Sequence, residues 1–165
     1  MRSKFIAAIV VVLSGTTAGL AQTKISGTLQ CSASGPGEQH VIEVGDRPNH
    51  SLIIGKGTCT WPKPMEIAGT QTKEETGASS TEVTGTKWRD HGYAVITFAN
   101  GDKAYASEQS SGTVKGGLIE GQGTWTFTGG TGKLKGIKGK GTYKSKTEAD
   151  GSSTAEVEGE YELPK

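Results

Sequence analysis

Gly121-Gln-Gly-Thr-Trp-Thr-Phe-Thr-Gly-Gly-Thr-Gly-Lys-Leu-Lys-Gly-Ile-Lys-Gly-Lys-Gly-Thr-Tyr143 is the stretch that decides the fold. It holds two copies of a G-x-G-T pattern, Gly121-Gln-Gly-Thr-Trp-Thr-Phe127 and Gly139-Lys-Gly-Thr-Tyr-Lys144, and a third lies upstream at Gly55-Lys-Gly-Thr-Cys-Thr-Trp61. Along a strand, successive side chains point to opposite faces. One face therefore carries Gly123, Trp125 and Phe127, and by the same parity Gly57, Cys59 and Trp61, and Gly141 and Tyr143, with Thr or Lys opposite. A face that runs from glycine to a large ring suits the taper of a small closed barrel. A phosphate-cradling loop is set aside, because Gly130-Thr-Gly-Lys-Leu-Lys-Gly136 misses the G-x-G-x-x-G spacing by one residue and no Walker lysine follows.

The same two-residue period extends outward from this stretch. Ten segments alternate in this way between turn residues, at 24–32, 38–44, 51–61, 66–72, 79–86, 93–99, 102–107, 118–127, 139–145 and 154–163, with at most a short turn at 132–138. Asn100-Gly101 reads as a two-residue hairpin turn that pairs Phe98 with Lys103 and Ile96 with Tyr105, placing Ala94, Ile96, Phe98 and Tyr105 on one face. The last hairpin needs a three-residue loop, Ala149-Asp150-Gly151. Only that register sets Tyr143 opposite Val157 and Lys144 opposite Glu156. It also makes the basic run Lys133 to Lys146 face the acidic row Glu156, Glu158, Glu160 and Glu162, which argues for solvated cross-strand charge and against a polyanion site.

The N-terminus opens on the basic Met1-Arg-Ser-Lys4, continues through an apolar run at 5–13 and reaches small residues at Gly19 and Ala21. This is the pattern of a signal peptide over residues 1–21, too short in its apolar run for a spanning helix. Residues 22–165 then form the β-barrel domain. Export places the only two cysteines, Cys31 and Cys59, where a disulfide forms. Of the 165 residues 26 are glycine; Gly15 and Gly19 lie in the leader, leaving 24 in 144, about 17% against an average near 7%. Helices tolerate that poorly. Without Arg2 and Lys4 the chain carries 16 basic and 17 acidic residues, a charge near −1 that gives no pull toward nucleic acid or an anionic membrane.

The segment Gly123 to Tyr143 resembles the signature of the allene oxide cyclase and dirigent-like β-barrel superfamily: a strand, a GGTGKF-like turn with Leu134 at the aromatic position, and a G-x-G strand. Bacterial exported proteins share this look. The resemblance implies an all-β fold, a single antiparallel β-barrel of about eight strands with a ligand-sized interior, so that two or more of the ten segments should be extensions, hairpin tips or broken strands. In plant members the chemistry is cyclisation of an unstable epoxide or guidance of radical coupling, and no residue of that chemistry aligns with a position of this chain.

The catalytic inventory is thin. His40, His50 and His91 are dispersed, Asp90 and His91 point to opposite sides of a strand, no G-x-S-x-G occurs, and no metal or cofactor motif is present. The residues expected to line an internal cavity are Trp61, Trp125, Phe127 and Tyr143. The expected function is a secreted or periplasmic, non-catalytic binding or accessory protein for a small apolar molecule, free of membrane once the leader is removed. The alternative is an isomerase- or cyclase-like barrel enzyme. Convergent polar groups with shifted pKa values inside the cavity would favour the enzyme, and a purely apolar lining the binder.

Overall fold

Glycine and small polar residues at every second position leave these strands little to bury on their own, so they reach stability by closing on one another. The computed structural model describes residues 22–35 and 37–164; the predicted leader at 1–21 lies outside them. Ten strands form in chain order: β1 (Thr23–Cys31), β2 (Gln39–Glu43), β3 (His50–Lys63), β4 (Glu66–Ile67), β5 (Thr70–Thr84), β6 (Lys87–Phe98), β7 (Lys103–Lys115), β8 (Leu118–Gly130), β9 (Lys138–Thr147) and β10 (Ser153–Glu162), with a 3₁₀ turn at Gly132–Leu134. All pairings are antiparallel, and the order β3-β1-β10-β9-β8-β7-β6-β5 closes through a β3–β5 ladder into an eight-stranded barrel. The other two are accessories. β2 continues the edge of β3 beyond β1, and β4 is a two-residue extension of β5. Among the described residues no helix is long and apolar enough to cross a membrane.

The G-x-G-T pattern works as a ring-over-glycine device. A Cβ added at Gly141 would stand 2.0 Å from the Glu158 carbonyl oxygen and 2.6 Å from the Trp125 ring, so only glycine lets the indole lie flat across β9. Tyr143 lies over Gly123 in the same way, where an added Cβ would meet its ring carbon at 2.6 Å. One end of the barrel is plugged by Met65, Ile67, Phe98, Leu134 and Ile137, the largest fully buried side chains. At the opposite end the inward positions are mostly small or polar, Ser79, Thr81, Asp90, Ser110 and Ser145, with the Trp88 ring laid over Gly112 and Gly121 among them, and all stay half-exposed.

The C-terminal hairpin adopts the expected register, Tyr143 opposite Val157 and Lys144 opposite Glu156, with Gly151 left-handed at φ 84°. The Asn100-Gly101 hairpin does not. Its loop is also three residues long: Gly101 takes φ 86°, the Phe98 amide donates to the Asp102 carbonyl, and Ile96 pairs with Ala104. Asp102 fixes this geometry, accepting from the Lys133 amide and pairing with the Asn100 side chain. The shift by one residue turns Ala104 and Ala106 inward and leaves Tyr105 outside, 38% exposed. A lumen already filled by Phe98, Trp125 and Phe127 takes alanine there and has no space for another ring.

Cys31 and Cys59 stand opposite each other across β1 and β3, with Cα atoms 4.0 Å apart, and are bonded. The bond staples the point where β1 breaks away toward β2. It fits an exported protein.

Candidate functional site

Eight strands each turn side chains into the lumen, and near the plugged end they leave a small, partly enclosed cavity of about 60 Å³. Roughly two water molecules occupy that volume in the liquid. Its wall includes all four sequence-predicted residues, Trp61, Trp125, Phe127 and Tyr143, together with Leu29, Met65, Ile96, Val157, three alanines and two acids, Glu75 and Glu108. Trp125 and Phe127 are 7% and 5% exposed and pack with ring centroids 4.8 Å apart. The indole N–H groups of Trp61 and Trp125 are buried without an acceptor among the described residues.

The acids are what sequence reasoning missed. Glu75 sits on β5 opposite Cys59 and Ile96, and Glu108 on β7 opposite Trp125. Burial pushes the Glu75 carboxyl up to about 8, with the Glu108 charge adding to the effect. Burial raises Glu108 as well, opposed by a hydrogen bond from the Tyr143 phenol, while Asp90 raises it further. Burial and the Glu108 charge push Tyr143 up, so it remains a phenol. The site thus combines aromatic walls with one carboxyl, Glu75, that holds its proton at neutral pH, a second, Glu108, whose pKa burial raises, and one hydroxyl donor.

The larger concavities, of about 1180 and 830 Å³, are open and lined mostly by exposed residues such as Arg89, Ser111, Gln122 and Lys144. Charged groups there are screened by water, so the small shielded cavity is the better candidate. The histidines do not assemble. His91 is exposed on the outer wall beside Tyr93, and His50 is held between Asp46 and Glu82, its Nε2 3.1 Å from the Glu82 carboxylate. No group of three or more metal-ligating side chains converges among the described residues.

Comparison with known proteins places the fold. No protein-family model matches the chain, and no curated protein sequence matches it. Among solved structures, the pterocarpan synthase dirigent protein PsPTS1 superposes with a TM-score of 0.52 at 14% identity, covering 88% of this chain and 97% of that one. The pterocarpan synthase dirigent protein GePTS1 does so at 0.52 and 13%, covering 87% and 92%. The chain therefore has the dirigent-like β-barrel fold that its Gly123–Tyr143 signature implies.

Proposed function

We propose that the protein is an exported binding or accessory protein whose lumen takes up a small, mostly apolar molecule, with the molecule's polar group at the level of Glu75, Glu108 and Tyr143. The observation that carries this reading is the co-location, in one partly enclosed cavity, of the rings of Trp61, Trp125 and Phe127 with two carboxyls of raised pKa. Apolar lining with a few convergent polar groups is the usual character of a small-molecule site. Native mass spectrometry of protein purified from its own host should show a retained small molecule. Filling the cavity by Ala106→Phe should abolish both that adduct and the saturable tryptophan fluorescence change given by a small apolar probe. A probe response unchanged by Ala106→Phe would refute the lumen as the site.

A second reading, proton-transfer catalysis on the bound molecule, draws support from Glu75, which carries its proton at neutral pH. Its signature would be solvent deuterium incorporation into a bound substrate that Glu75→Gln abolishes without loss of binding.

A further inference from the structure

Charge is sorted across the barrel wall. Every lysine and arginine on the ten strands is exposed, whereas Glu75, Asp90 and Glu108 occupy inward positions. Asp90 accepts a hydrogen bond from the Thr81 hydroxyl near the polar end. Glu75 and Glu108 line the partly enclosed cavity, and among the described residues neither has a cationic partner. The rest of that wall is aromatic and aliphatic. Two carboxyls set against indole faces in a shielded space form a host for an organic cation: the carboxylates accept charge-assisted N–H bonds, and the rings attract the cation through their quadrupoles. A carboxylate guest would bring a negative charge beside two buried acids with no cation to offset it, and a neutral guest would gain neither term.

We propose that the lumen takes a protonated primary amine with an apolar tail, the ammonium seated between Glu75 and Glu108 and the tail against Trp61 and Trp125. This rests on the reading of the lumen as a binding site and adds the ligand class. The cavity of about 60 Å³ takes such a headgroup with a methylene or two, and the rest of a longer tail would extend past Tyr143 and Val157, which the cavity shares with the open concavity of about 1180 Å³. The groups facing the pair are apolar on β3 and β6 around Glu75, namely Cys59 and Ile96; around Glu108 they are Asp90 on β6, Ser110 on β7 and Tyr143 on β9, with His91 acting from the outer side of β6. None of these supplies a resident cation inside the barrel. Because burial keeps the proton on Glu75 while it is unpaired, a bound ammonium displaces that proton.

The test is isothermal titration of the disulfide-bonded mature protein at pH 7 with hexylammonium, 1-hexanol and hexanoate. Hexylammonium should bind about tenfold or more tightly than hexanol, with hexanoate weakest. Its heat should vary with the ionisation enthalpy of the buffer, reporting proton release, while that of hexanol should not. In Glu75→Gln and in Glu75→Gln/Glu108→Gln the preference for the amine should fall stepwise toward that of hexanol, whose retained binding shows that the variants are folded. Equal affinity for hexylammonium and hexanol, or a preference that survives both substitutions, overturns the amine assignment and leaves the lumen as a binding site. Failure of all three probes to bind overturns both readings.

Discussion

Raising the pH from 5 to 9 should destabilise this protein, and Glu75 should be the main cause. Its folded pKa of about 8 lies above the ordinary 4.5 that it recovers on unfolding. Between those values the folded state binds more protons than the unfolded state, so stability falls as pH rises and levels off above the folded value. At about 1.4 kcal/mol per unit, the separation sets an upper bound of about 5 kcal/mol, and hydration of the ionised carboxyl within the cavity reduces it. A loss of about 2 to 4 kcal/mol is a large share of the stability of a domain this size. The assay is urea denaturation of the wild type and Glu75→Gln at half-unit steps from pH 5 to 9. Glu108, also raised, gives a slope of the same sign in both proteins, so the difference between the two curves reports Glu75 together with its coupling to Glu108. The wild-type curve should fall more steeply between pH 5 and 9 than that of Glu75→Gln. Parallel curves would refute the placement of the Glu75 carboxyl in a shielded lumen.

Trp125→Ala should cost about 3 to 5 kcal/mol by chemical denaturation, since the ring is 7% exposed and spans Gly141; a loss under about 1 kcal/mol would mean the ring does not pack. Gly141→Ala should cost about 1 to 3 kcal/mol or more, because the new Cβ meets backbone oxygen at 2.0 Å and a ring wedged in place, neither of which yields. Reducing the Cys31–Cys59 bond, which closes a 28-residue separation, should cost about 3 to 4 kcal/mol, and alkylation without reduction should label no thiol. His50, raised above 6.5 chiefly by its hydrogen bond to Asp46, should stabilise the protein below about pH 6.5 and lose that contribution as pH rises through its folded value. In His50→Gln, denaturation midpoints should show a weaker decline across that window.

The barrel was legible because alternation and ring size agreed along the G-x-G-T segments, and the C-terminal hairpin because two patterns, aromatic against aliphatic and lysine against glutamate, demanded one register. At Asn100-Gly101 the turn signal stands alone, and the one-residue slip it suggests hides Glu108: with Tyr105 inside, Glu108 points out, whereas in the true register it follows Ala104 and Ala106 into the lumen. Requiring that face to hold only small residues beside Phe98 would have exposed the error. Glu75 was hidden by something sequence rarely shows. A bulge between Thr72 and Glu74 changes the parity of β5, so that buried Thr72 is followed inward by Glu75 and not by Glu74. The segment 73–78, charged and holding Gly77, reads as a loop for the same reason, although β5 runs unbroken from Thr70 to Thr84.

The motif that marks the fold also keeps the cavity open. A ring whose neighbouring strand offers a glycine lies flat against the wall; given a Cβ beneath it, the ring must swing toward the barrel axis and fill the space between Glu75 and Glu108. Substitutions at Gly141 or Gly159, both under the Trp125 indole, therefore remove stability and cavity together. Ala94, Ala106 and Ala155 line the cavity with no ring resting on an absent Cβ, so enlarging one of them fills the lumen while the ring-over-glycine contacts persist. The glycines of this wall thus serve stability and ligand capacity at once while the alanines serve capacity alone, so Gly→Ala variants should lose both and Ala→Val variants should lose probe binding first.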